Sequence, residues 1–143
     1  MTQEGHGQKI VVADSDRTVL ELLQIRLDIA GYYACVARTG YTALDVVKHV
    51  RPAAMIVDAA LQEMDGFEVI RLVRARHPDQ HFPILLTGRG LKVEDVQRAL
   101  SLGAQSCMIK PFSGADALER VQRLLRGSVK PAFGARPLTP VYI

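Results

Sequence analysis

Met55-Ile56-Val57-Asp58-Ala59-Ala60-Leu61-Gln62-Glu63-Met64-Asp65-Gly66-Phe67 is the stretch that decides the fold. An apolar run ends on a carboxylate, a polar loop follows, and a helical pattern resumes at Phe67. A charge is costly inside an apolar run and tolerable at its end. Asp58 is therefore read at the carboxyl end of a buried strand, the edge where open α/β sheets bind ligands. Three other polar residues end apolar runs in the same way: Asp14 after Lys9-Ile10-Val11-Val12-Ala13, Thr87 after Pro83-Ile84-Leu85-Leu86, and Lys110 after Cys107-Met108-Ile109. Four strand ends point two acids, a hydroxyl and an ammonium at one place.

Outward from this segment, apolar runs alternate with amphipathic stretches along the chain. Strands are predicted at about 9–13, 33–37, 54–58, 83–87 and 106–110, and helices at about 17–30, 41–50, 66–76, 92–102 and 115–126. In the first helix Val19, Leu22, Leu23, Arg26, Leu27 and Ala30 form the expected apolar stripe with only Arg26 breaking it, and Gly31 supplies the stop. The strands are rich in Ile and Val without alternation, which argues burial on both faces and a parallel sheet. The reading is a doubly wound α/β fold with five parallel strands in the order 2-1-3-4-5. That order makes the first and third strands neighbours, so Asp14 and Asp58 meet.

The chain has 143 residues, 48% hydrophobic and 23% charged, enough for one domain with a sizeable core. No apolar stretch approaches the length of a membrane span, and Met1 to Gln8 lacks the apolar core of a signal peptide. Cytoplasmic residence is expected. Cys35 and Cys107 lie in strand-like runs, not at paired or metal-ligand spacings, and are read as small buried hydrophobes. His6, His49, His77 and His81 fall away from the strand ends and are read as solvated surface. The net charge of +3 is unevenly distributed: Arg120, Arg123, Arg126, Lys130 and Arg136 follow the last acid, while Met1 to Glu119 is net negative. Placing Arg123 and Arg126 in the last turn of a helix, where cations complement the dipole, disfavours direct nucleic-acid binding. The glycine-free Asp14-Ser15-Asp16-Arg17 is unsuited to cradling a nucleotide phosphate, and Asp16 is read as a helix N-cap.

Four short motifs sit at the strand ends: Val11-Val12-Ala13-Asp14-Ser15-Asp16; Val57-Asp58 with Gly66 eight residues on, in Met64-Asp65-Gly66-Phe67; Leu86-Thr87-Gly88; and Lys110-Pro111-Phe112. In this order they closely resemble the receiver domain of bacterial two-component response regulators. The resemblance covers about residues 8–126 and leaves about 127–143 as a linker or C-terminal tail. It implies a flavodoxin- or CheY-like fold and phosphorylation of Asp58 by a histidine kinase or phosphotransfer protein, with Thr87 and Lys110 as catalytic partners. It further implies Mg²⁺ held by Asp14, Asp58 and the backbone carbonyl of Ala60, with Ser15 contributing through a water. Such a domain is a signalling switch, not an enzyme on other substrates: it catalyses only its own phosphorylation and dephosphorylation. The bond after the matching lysine is usually cis in this family, which would aim Lys110 into the cleft.

The sequence also departs from the family pattern. Receivers normally carry two adjacent acids after the first strand, and here the second is Ser15, so weakened Mg²⁺ affinity is expected. Cys107 occupies the position three before the lysine, normally an aromatic residue whose rotamer reports phosphorylation. Gln62 replaces a frequent proline, and Ala104-Gln105-Ser106 lacks the acidic pair common before the fifth strand in the large DNA-binding subfamily. These departures define a second reading, a pseudo-receiver acting as a phosphorylation-independent protein-interaction module; the retained Asp14, Asp58, Thr87 and Lys110 favour the switch. Output is expected through the face of the fourth helix, fifth strand and fifth helix, toward a downstream protein or output domain, with a homodimer also compatible and no membrane contact.

Overall fold

The structure, a computed structural model, describes residues 7–127. His6 and the expected tail from 128 onward lie outside the described residues. The elements are β1 (Lys9–Ala13), α1 (Arg17–Ile29), β2 (Tyr33–Ala37), α2 (Gly40–Val50), β3 (Ala54–Asp58), α3 (Gly66–Arg76), β4 (Ile84–Gly88), α4 (Val93–Leu102), β5 (Ser106–Ile109) and α5 (Gly114–Gly127). All strand pairs are parallel, in the order β2-β1-β3-β4-β5.

Two apolar layers flank the sheet because successive strand residues point to opposite faces. Val11, Ala13, Met55, Val57, Leu86 and Cys107 meet Val47 of α2, Ile70 of α3 and Ala99 of α4. Ile10, Val12, Ile56, Leu85 and Met108 meet Leu23 and Leu27 of α1 and Val121 of α5. Every residue of β3 and β4 is buried, as the unbroken apolar runs imply, whereas β2 is an edge strand and mostly is not. This corrects the reading of Cys35, which is only half-buried; Cys107 is fully buried, and burial pushes its thiol up to about 11.

The first three helices start where short polar side chains satisfy their first amides. Asp16, Thr39 and Asp65 cap α1, α2 and α3, accepting from the amides of Thr18, Thr42 and Glu68. These caps lie at the carboxyl edge of the sheet and fix the loops that leave it. In α1 the buried stripe is Leu20, Leu23 and Leu27, rotated from the predicted one; Leu22 and Arg26 instead lie against Gly114 at the start of α5. Gly127 ends α5, one residue beyond the predicted boundary, and Arg126 falls in that last turn while Arg123 lies near Glu119, one turn back.

At the opposite edge the guanidinium of Arg74 donates to the carbonyls of Gly103 and Phe82, each at 2.8 Å, and to Gln105 Oε1 at 3.1 Å. The guanidinium lies over Phe82, with the ring centroid 5.3 Å away. Burial lowers its pKa. One side chain thereby ties α3 to the end of α4 and to the approaches to β4 and β5.

Candidate functional site

Parallel pairing sets the site. Ala13 pairs with Val57, so Asp14 and Asp58 emerge side by side from β1 and β3, and Asp58 pairs directly with Thr87 of β4. Lys110 follows β5, its amide bonded to the Gly88 carbonyl at 2.9 Å, and the Lys110–Pro111 bond is cis. Among the described residues, the buried polar or charged ones are these same four: Asp14 (3% exposed), Asp58 (6%), Thr87 (1%) and Lys110 (9%).

Their contacts form one connected cluster. Lys110 Nζ lies 2.7 Å from Asp14 Oδ2 and 2.9 Å from Asp58 Oδ1. Thr87 donates its hydroxyl to the same Asp58 Oδ1 at 3.2 Å, while the Ala60 amide donates to Oδ2 at 3.1 Å. Asp14 Oδ1 accepts from the Asp16 amide at 2.8 Å. Burial raises the Asp14 pKa, and repulsion from Asp58 adds to it, against the bonds from Lys110 and Asp16. For Lys110, burial acts to lower the pKa, but the two carboxylates outweigh it and the pKa is raised. The ammonium is thus held charged between two acids, which is how a buried charge is tolerated.

The sequence profile of the response regulator receiver domain matches residues 10–122. The chain belongs to the response regulator receiver family. The receiver is 36% identical over 118 residues to the response regulator MprA of Mycobacterium sp. (strain KMS), covering 82% of this chain and 50% of that protein. It is 29% identical over 132 residues to the probable transcriptional regulator ycf27 of Guillardia theta, covering 92% of this chain and 51% of that protein. The chain spans about half the length of the curated relatives it matches. Among solved structures, chemotaxis response regulator CheY4 of Vibrio cholerae superposes with a TM-score of 0.77 at 27% identity, covering 82% of this chain and 98% of that one. A putative response regulator from Chloroflexus aurantiacus J-10-fl gives 0.77 at 28% identity, over 84% and 98%.

The donor set of this receiver suits a hard divalent cation. Two carboxylates emerge from adjacent strands, and the bridging ammonium shows that their shared space accommodates positive charge. Among the described residues no group of three or more His, Cys, Asp or Glu converges. A cation there would keep much of its coordination for water, as Mg²⁺ does readily.

Ser15, Arg38 and Gln62 make a second network beside the first. The Ser15 hydroxyl donates to the Arg38 carbonyl at 2.9 Å and accepts from the Gln62 amide at 3.1 Å. Ser15 and Gln62 stood out in the sequence as departures from the family pattern; their contact with each other, and the part of Arg38, had no sequence signal. Among the described residues no helix is long and apolar enough to cross a membrane.

Proposed function

We propose that this receiver accepts a phosphoryl group on Asp58 from the phosphohistidine of a histidine kinase or phosphotransfer protein. One observation carries the reading: a buried carboxylate at a strand end holds an ammonium and a hydroxyl on one oxygen, beside a second acid. In the transfer an Asp58 oxygen bonds to phosphorus as the bond from phosphorus to the imidazole nitrogen breaks, and that nitrogen keeps the electron pair. Charge builds on the three equatorial oxygens, so catalysis is mainly positioning and electrostatics. Lys110 offers a compact cation to one oxygen and Thr87 a hydroxyl to another. Asp14, Asp58 and the Ala60 carbonyl would hold Mg²⁺, which would supply positive charge to offset the negative charge building on the phosphoryl oxygens. Attack of water on the phosphoaspartate returns the carboxylate and releases inorganic phosphate, so the switch resets itself.

Output is assigned to the α4–β5–α5 face, toward a protein partner or an output domain. Val93 and Leu100 are exposed on α4, and Arg120 of α5 reaches β5, donating to Ser106 Oγ at 2.8 Å and the Cys107 carbonyl at 3.0 Å.

Acetyl phosphate with Mg²⁺ tests the assignment. A phosphoadduct seen by mass spectrometry is expected to vanish in Asp58→Asn; an adduct that survives the substitution overturns it. Failure of both acetyl phosphate and beryllofluoride at millimolar metal would leave a phosphorylation-independent interaction module.

A further inference from the structure

The three loops that leave β1, β2 and β3 are joined through a single hydroxyl. Besides the two bonds of Ser15 Oγ, the Arg38 guanidinium donates back to the Ser15 carbonyl at 3.3 Å. Gln62, gripped by Ser15 through its amide, is gripped through its carbonyl by the Gly40 amide at 3.1 Å, and it pairs with Thr39 as a parallel bridge. A hydroxyl can donate to a carbonyl and accept from an amide at once, whereas a carboxylate only accepts and a methyl does neither. Gln62 takes part with its backbone N–H, the group a proline lacks. Residues 15 and 62 are thus matched: each supplies what the other requires.

The bonded loop is the one that follows Asp58. Its ends are fixed by the Ala59 amide on the Thr87 carbonyl at 2.8 Å and the Gly66 amide on the Ala59 carbonyl at 3.0 Å. Its middle is fixed at Gln62, two residues beyond the Ala60 amide that holds Asp58 Oδ2.

We propose that Ser15 and Gln62 form a clamp that positions the β3–α3 loop, and that this clamp sets how well the site takes up a divalent cation. Ser15 is a positioning residue in this scheme: it acts on the site through the loop, not by touching the reacting atoms. The proposal builds on the phosphoacceptor reading, and the two are separable by experiment.

Mg²⁺ alone is titrated into the receiver and followed by the backbone amide shifts of Asp58 to Gln62, with melting temperature measured in parallel. Ser15→Ala removes both bonds of the hydroxyl, and Gln62→Pro removes the amide donor while also fixing φ at that position. Each is expected to weaken Mg²⁺ binding by about tenfold, the lower end of the effects seen for groups that orient ligands. The double variant should bind no more weakly than Ser15→Ala, because the two residues act as one unit, and Ser15→Thr should restore binding. Unchanged Mg²⁺ affinity with only a lower melting temperature overturns the clamp, as does additive loss in the double variant or a wild type that binds no Mg²⁺. A wild type that binds Mg²⁺ and shows the coupled loss, yet forms no aspartyl phosphate, keeps the clamp and removes the phosphoacceptor reading.

Discussion

Asp14 is one of the two carboxylates that hold Lys110, and burial disfavours its ionisation. Burial raises its pKa more than Lys110 and the Asp16 amide lower it, so its ionised form is less favourable in the folded protein than in the unfolded chain. For a raised carboxyl the sign is fixed: its favourable contribution is present below the unfolded value of 3.8 and is lost as pH rises through the folded value. Ionisation of Asp14 thus works against the fold. Asp14→Asn is therefore expected to stabilise the metal-free receiver at pH 7 by about 0.5–2 kcal/mol, the size typical of relieving a functional compromise. Urea denaturation at several pH values checks this, and the gain should disappear in acid, where Asp14 is protonated in both states. Ser15→Asp makes the opposite change. It adds a third acid and cannot donate to the Arg38 carbonyl, so the metal-free fold should weaken; its oxygens still accept from the Gln62 amide, so the loop stays held and Mg²⁺ should bind roughly 10–100-fold more tightly. Thermal shift with and without Mg²⁺ reads both effects; equal Mg²⁺ affinities would show that the third charge does not reach the cation.

Two glycines distinguish the loops around the site. At Gly66 a Cβ would collide with the backbone carbonyl of Asp58 and with Ala59 Cα, atoms that cannot move without moving Asp58. At Gly88 the nearest obstacle is Leu91 Cδ2 at 2.8 Å, the far end of a flexible side chain. Gly66→Ala is accordingly expected to cost about 1–3 kcal/mol, as forced overpacking does, and to displace Asp58. Gly88→Ala should cost less, with Leu91 turning aside. Denaturation midpoints give the ranking, and near-equal losses would mean that the β3–α3 loop yields as easily as Leu91. The spacing of Gly66 from Asp58 was legible as a motif; the reason for it, a carbonyl packed against the first turn of α3, belongs to the folded element.

Across the molecule, a signal made at Asp58, as proposed above, would have to travel without an aromatic ring at residue 107. Cys107 is fully buried against the α4 side of the sheet and has nothing to swing. The remaining route is the β4–α4 loop. Leu91 rests on Gly88, whose position also faces Ala59 Cβ beside Asp58, and Gly90 has a φ of 61° with open space around it. Beryllofluoride is expected to shift amide resonances most strongly from Thr87 to Leu91, with smaller changes spreading into α4. Changes confined to α1 would place the output elsewhere.

The alternation of apolar and amphipathic segments is local information, and it was enough for the α/β class, the strand order and the four residues at the strand ends. Burial of each strand, apart from β2, follows from its own composition. Tertiary structure decided what depends on register and on partners distant in sequence. It set Lys110 between Asp14 and Asp58, rotated α1 so that Arg26 lies against Gly114, left Cys35 half-buried on an edge, and bonded Arg74 to the Phe82 and Gly103 carbonyls and to the Gln105 side chain. The Ser15 hydroxyl is the clearest case. Its residue type is written in the sequence, but a hydroxyl accepts or donates according to what faces it, and only folding brings Arg38 and Gln62 there.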